Sequence, residues 1–270
     1  MLNAYPTAID VRRACRSGAF REPTAGQCPG YTQTNLIVLP EKHAASFRTL
    51  CERNPVSCPL VGETRGNGDP RFRTPLGEDS DVRFDAPGYN VYENGKLLHD
   101  DIPDIRDYWQ DDSVGFLIGC SFTFEQALCD AGLTPRHMIT GANVPMYKTN
   151  YPLLPAGVFR GEMVVSMRPY KRADVERVRD ITRPYVKTHG EPVAWGPEGM
   201  KQLGIHDLYR PEFGDAPEPL ADDEIPVFWG CGVTPQQVIM SSPHVNGFVM
   251  GHAPGKMICV DLPVAAVLSS

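Results

Sequence analysis

Two stretches of this chain read alike. DDSVGFLIGCSFTFEQAL begins at Asp111, and DDEIPVFWGCGVTPQQVI begins 111 residues later, at Asp222, and matches it without a gap. Asp-Asp, Gly-Cys, Thr and Gln coincide, Val114 matches Ile225, and three apolar residues precede each Gly-Cys. Self-similarity of this length points to one supersecondary unit used twice. A short apolar run that stops at Gly and then turns helical reads as strand, turn, helix. The expected fold class is α/β, as two interlocked α/β subdomains with a duplicated strand–Gly-Cys turn–helix unit. Both turns are expected at the same edge of a central sheet.

The helix starts carry their own signals. Thr123 and Thr234 are the expected N-caps, with Gln126 and Gln237 three residues on completing capping boxes. Pro235 would take the first helical position, where its missing N–H costs nothing. Cys120-Ser121 and Cys231-Gly232 then lie between strand end and helix start, where ligands of α/β sheets bind. Exposed N–H groups and the helix dipole there favour an anion and would lower a thiol pKa. Free cysteine is also among the most buried residue types, so each could equally be a small apolar filler. Cys15, Cys28, Cys51, Cys58, Cys129 and Cys259 lack such a setting and read as structural.

Elsewhere the sequence predicts a helix over Ala8–Ser17 with Thr7 as cap, a buried strand in TNLIVLP, and a helix over Glu41–Arg53. YNVYENGKLL is a hairpin turning at Asn94-Gly95. Residues 54–88 look loop-like, VFRGEMVVSMRPY strand-like, and ADVERVRDITRPYVKTHG helical. The predicted division is a main α/β domain of 1–150 plus 215–270 and a smaller α+β subdomain of 151–214, with GDAPEPLADDE (214–224) as the linker back.

Composition excludes several classes. With 270 residues and a net charge of −7, no dense basic stripe is available for nucleic acid. No apolar run is long enough to span a membrane, and the first residues show no signal-peptide pattern. Eight cysteines without a secretory signal read as reduced thiols in a cytoplasmic protein, and no Cys-x-x-Cys pair suggests structural zinc. GHAPGK is one residue short of a phosphate-binding loop, so no nucleotide cofactor is expected. A divalent metal is left open, with His252 and Asp261 as the pair that could share one. A homo-oligomer is left open too.

Several blocks carry a resemblance. PTAGQCPGYTQTNLIVLP (23–40), RNPVSCPL, DIRDYW, GFLIGCSFTFE, NVPMYKTN, VVSMRP, PVFWGCGVTPQ and HAPGKM-x3-DL together resemble the D-glutamate cyclase family of hydro-lyases, in family order and through nearly the whole chain. The resemblance implies an enzyme of the lyase class and, for the named activity, conversion of D-glutamate to 5-oxo-D-proline with loss of water. The chain departs from the family at Ala194 and Pro197 of HGEPVAWGPEG, where a His and an Asp-Pro are usual, and at Gly251, where a Thr is usual. If that segment lined the pocket, the substrate would differ from D-glutamate.

Cyclising glutamate needs a base to free the amine and an acid to protonate the departing oxygen. It also needs a cation or a nest of N–H groups for the remaining carboxylate. His252, in a Gly/Pro-rich turn, is the first candidate acid/base, and Cys120 and Cys231 are the other catalytic candidates. Ser121, Tyr147, Lys148, Asn150, Arg168, Asn35 and Thr234 are candidates for binding a small anionic substrate, with Gln33 and His137 as further donors. Arg168 is expected to end its strand. Two rivals stand beside the lyase. Two cysteines facing one substrate carbon would suit a cofactor-independent racemase or epimerase. The same pocket could also serve a non-catalytic carboxylate-binding protein.

Overall fold

The computed structural model describes residues 5–66, 68–242 and 244–268. Its strands are β1 (Tyr31–Pro40), β2 (Leu60–Gly66), β3 (Asp69–Phe72), β4 (Tyr89–Glu93), β5 (Lys96–Ile102), β6 (Ser113–Gly119), β7 (Met146–Pro152), β8 (Glu162–Lys171), β9 (Ala194–Trp195), β10 (Glu224–Gly230), β11 (Phe248–His252) and β12 (Ile258–Pro263). Its α-helices are α1 (Ala8–Ser17), α2 (Glu41–Arg53), α3 (Phe122–Asp130), α4 (Arg136–Thr140), α5 (Val175–Thr182), α6 (Gly196–Gln202) and α7 (Val233–Met240). Among the described residues none is long and apolar enough to cross a membrane.

The fold is mixed α/β with two antiparallel sheets. One runs β3-β2-β6-β1-β11-β4-β5, with β12 also paired to β1, and the other runs β7-β8-β10-β9. All seven residues of β6 are buried, which is why its sequence is a continuous apolar run rather than an alternating one. Phe47 of α2 meets the Phe116 ring edge-on at 4.8 Å, in a core that also takes in Met163, Val165 and Phe228 from the second sheet. That shared core is what ties the two sheets together.

Several local expectations hold. Helices α1 and α2 have the predicted bounds, and Thr7 accepts from the Asp10 N–H as the cap of α1. Asn94 and Gly95 both adopt positive φ, as a tight hairpin turn demands. Others fail. The two Gly-Cys turns do not share a sheet edge, because β6 belongs to the first sheet and β10 to the second. Helix α5 stops at Thr182, shortly before Pro184, and a 3₁₀ turn (Val186–Thr188) follows instead of further α-helix. Residues 54–88 contain β2 and β3, whose mixed burial hides them in a charged sequence. Arg168 lies inside β8, not at its end.

Candidate functional site

The two Gly-Cys turns face one cavity of about 330 Å³. In the first, the Cys120 N–H bonds the Gln33 carbonyl at 3.2 Å, and the Thr123 N–H bonds the Cys120 carbonyl at 3.0 Å. In the second, the Cys231 N–H bonds the Val164 carbonyl at 3.1 Å, and the Thr234 N–H bonds the Cys231 carbonyl at 2.9 Å. The threonines do not cap their helices, which start at Phe122 and Val233. Each hydroxyl instead clips the neighbouring strand. Thr123 Oγ1 accepts from the Gln33 N–H and donates to the Gln33 carbonyl (3.2 and 3.3 Å), and Thr234 Oγ1 does the same to Val164 (3.0 and 3.1 Å). A side chain bonded across the sheet is unavailable to its own helix, so neither capping box forms. Pro235 accordingly falls at the third helical position, still within the turn whose N–H groups lack helical acceptors.

Both turns need glycine because the two halves press together there. A Cβ on Gly119 would stand 1.8 Å from the Lys187 carbonyl oxygen, and one on Gly230 would stand 2.7 Å from that of Val56. Cys120 and Cys231 line the cavity at 6% and 9% exposure. Burial pushes the Cys120 thiol up to about 12 and the Cys231 thiol to about 11, against the pull of the N–H two residues on in each turn. Desolvation thus outweighs the helix-start effect that would lower a thiol pKa.

The turns differ at one position, Ser121 against Gly232, and different chemistry stands at each. Ser121 Oγ accepts from Arg168 Nη2 at 2.9 Å. Arg168, fully buried, also bonds Glu125 through Nε at 3.0 Å and Nη2 at 2.5 Å. His137 Nε2 lies 3.1 Å from the same carboxylate. Burial alone would raise the Glu125 carboxyl, but Arg168 and His137 outweigh it and hold it below its ordinary value. With its oxygen occupied by a guanidinium donor, the Ser121 hydroxyl is left to donate its proton toward the cavity.

At Gly232 the space is filled by Asn35, whose amide nitrogen would be 1.9 Å from a Cβ there. The Asn35 amide donates to the Gly119 carbonyl at 3.1 Å and turns its oxygen to His252 Nε2 at 3.0 Å. His252 Nδ1 sits 2.8 Å from the Ala253 carbonyl. Burial pushes the His252 pKa down to about 4, partly offset by that carbonyl.

Of the residues singled out in the sequence, Cys120, Cys231, His252, Ser121 and Asn35 line this cavity, and Arg168 reaches it through Ser121. Thr234 is buried in its strand clip. The Tyr147 hydroxyl donates to the Leu208 carbonyl at 2.6 Å. Tyr147 and Lys148 flank a separate cleft beside His206 and Arg210. Asn150 is exposed against Gly204. Gln33 is anchored to the Thr24 carbonyl. The Asp261 carboxylate is held by Arg12 through two bonds of 2.9 Å, while both His252 nitrogens face Asn35 and Ala253, so that pair does not meet at a metal. Ala194 is buried in β9 and Pro197 is exposed at the start of α6, and neither lines the cavity.

Sequence reasoning missed Asn90, Tyr92 and Gln236, which also line the cavity, while Asn143 enters it from the NVPMYKTN block that the sequence had singled out. Gln237 lines it as well, freed by the failed capping box that had assigned it to the backbone. Asn90 and Tyr92 flank Val91 on β4, whose own side chain joins the core, so strand alternation was their available signal.

Comparison of the sequence with known families and proteins gives one consistent result. Residues 114–261 match the sequence model described as D-glutamate cyclase. A “Putative hydro-lyase” of Schizosaccharomyces pombe is 48% identical over 260 residues, covering 96% of this chain and 85% of its own. Proteins of the same name from Xanthobacter autotrophicus and Bordetella petrii are 47% and 48% identical, covering 96% and 95% of this chain and 91% and 94% of theirs.

Proposed function

This chain belongs to the D-glutamate cyclase family, and from that premise we propose that it is a lyase removing water from a small amino or hydroxy acid. The observation that carries the reading is the meeting of both Gly-Cys turns, Ser121, Asn35 and His252 in one cavity. Conversion of D-glutamate to 5-oxo-D-proline and dehydration of a hydroxy acid share a need. In the first, the amine attacks a carboxyl carbon and excess charge gathers on that carboxyl's oxygens before water leaves. In the second, a base takes the proton next to the carboxylate, charge moves onto the carboxylate oxygens, and the C–O bond breaks. Donors fixed where that charge develops are the main source of rate enhancement.

In this reading the Ser121 and Gly232 N–H groups and the Ser121 hydroxyl hold the carboxylate, and Arg168 polarises that hydroxyl from behind. His252 moves the protons, with Asn35 fixing its ring. We read the two turn units, with their matching threonine clips, as a duplication that has since diverged at Ser121 and Gly232. The raised thiol pKa values favour the backbone cradle over a thiolate nucleophile.

The racemase reading keeps one specific support, since Cys120 and Cys231 face the same cavity. Both readings are tested by incubating the protein with D- and L-glutamate and related amino and hydroxy acids in D₂O, with mass detection. Loss of 18 daltons from one of them is the expected result. Deuterium at Cα without loss of water would replace the lyase with the racemase, and binding without turnover would leave a carboxylate-binding protein.

A further inference from the structure

The cavity has a polar end and an apolar end. Phe122 and Val233, one residue beyond Ser121 and Gly232, pack in a single cluster with Val144, Met146 and Phe213, and all five line the cavity. The wall is firmly built. Met146 and Phe213 exchange N–H···O bonds of 2.9 and 3.2 Å, and Gly214 packs so closely that a Cβ would stand 2.1 Å from the Val144 carbonyl oxygen.

Donors at the polar end can be counted. The Cys120, Thr123, Cys231 and Thr234 N–H groups are already bonded, while those of Phe122 and Val233 lie beside their own turns' thiols and pull those pKa values down against burial. The Ser121 and Gly232 N–H groups have no backbone acceptor among the described residues. With the Ser121 hydroxyl they match the needs of one carboxylate, while the other polar side chains of the lining, Asn90, Tyr92, Asn143, Gln236 and Gln237, are neutral and offer a second carboxylate no counter-charge. Among the described residues no Lys or Arg lines the cavity. Arg168 touches it only through Ser121 and is paired with Glu125, so it serves that same carboxylate. A second carboxylate against Met146 and Phe213 would lose its water and gain no counter-charge.

We propose that this site selects acids bearing one carboxylate and an apolar side chain, branched aliphatic or aromatic, and disfavours dicarboxylates such as glutamate. The proposal rests on the cavity being the carboxylate-holding site described above.

The test uses two acids of matched shape. Glutarate and 5-methylhexanoate differ only in that an isopropyl group replaces one carboxylate. Each is titrated into the protein by calorimetry, or by chemical-shift perturbation if binding is millimolar. Binding of 5-methylhexanoate at least about tenfold tighter is expected. Ser121→Ala is expected to weaken both acids by a similar factor, and Phe213→Ser, at a half-buried position, to weaken 5-methylhexanoate alone. Glutarate binding as tightly or more tightly overturns the selectivity and leaves the carboxylate site standing. Binding of neither acid, or binding indifferent to both substitutions, overturns the site and the selectivity together.

Discussion

Asn35 Oδ1 stands 3.0 Å from His252 Nε2, joining residues 217 apart in sequence. The Asn35 amide nitrogen is held by the Gly119 carbonyl, so its oxygen must face the ring. The other ring nitrogen faces the Ala253 carbonyl. A neutral imidazole has one N–H and can satisfy only one of these acceptors, whereas an imidazolium satisfies both. Burial opposes the charged form and pushes the pKa down to about 4. An anion in the cavity supplies the missing counter-charge.

Binding of a carboxylic acid should therefore be coupled to proton uptake by His252. Calorimetric titration with 5-methylhexanoate at about pH 6, in two buffers of different ionisation enthalpy, should show uptake approaching one proton. His252→Asn should abolish it. Uptake that survives this substitution would place the titrating group elsewhere.

A second pH effect concerns the fold. His189 is also fully buried, and burial pushes its pKa down to about 4 against the Val56 carbonyl bonded to it. The folded state holds His189 and His252 neutral, so the unfolded chain binds more protons as pH falls from about 6.5 to about 4. Their contribution is present above that window and lost through it, on the order of 3 kcal/mol each at most. Denaturant unfolding of the wild type and of His189→Asn at pH 7.5 and 4.5 checks this. Asn suits the positive φ at position 189. The variant should lose less stability on acidification, and an equal loss would count against the assignment.

Ser121 and Arg168 should separate activity from stability. Ser121→Ala removes a donor and little packing, so turnover should fall about a hundredfold with the folding midpoint nearly unchanged. Arg168→Met strands the Glu125 carboxylate without its main partner and should cost about 3–5 kcal/mol. Adding Glu125→Met should restore much of that stability and none of the turnover. Recovery of both would mean that Arg168 acts only by holding the fold together.

The cysteines give the next expectation. Burial raises both thiols, so iodoacetamide should modify Cys120 slowly at pH 8, with no titration near neutrality. Cys120→Ala should keep turnover within about tenfold of wild type. Rapid alkylation with a midpoint near pH 7, together with loss of activity in that variant, would revive the two-cysteine mechanism.

Much of this was legible in the sequence where a local rule acts alone. Thr7 caps α1 and Asn94-Gly95 turns the hairpin because both depend on neighbours in the chain. The Gly-Cys pairs pointed to the cavity because the same sequence pattern occurs twice, and both copies line it. Thr123 and Thr234 misled for the opposite reason. Their capping signature was intact, but strands distant in sequence offered each hydroxyl a better pair of partners. Tyr147 and Lys148 misled because a block of residues shared with a family need not face one cavity, and theirs splits, with Asn143 inward and Lys148 outward. Phe213 and Val144 carry no pattern that distinguishes a cavity wall from a core.

The most direct measurement is a crystal structure with the tighter-binding acid soaked in. Expected is one carboxylate between the paired turns, its oxygens about 2.7–3.2 Å from the Ser121 and Gly232 nitrogens, with the apolar group against Phe213 and Met146. Acid bound instead in the cleft beside Lys148 and Arg210, with the space between Cys120 and Cys231 left to solvent, would contradict the assignment of the site.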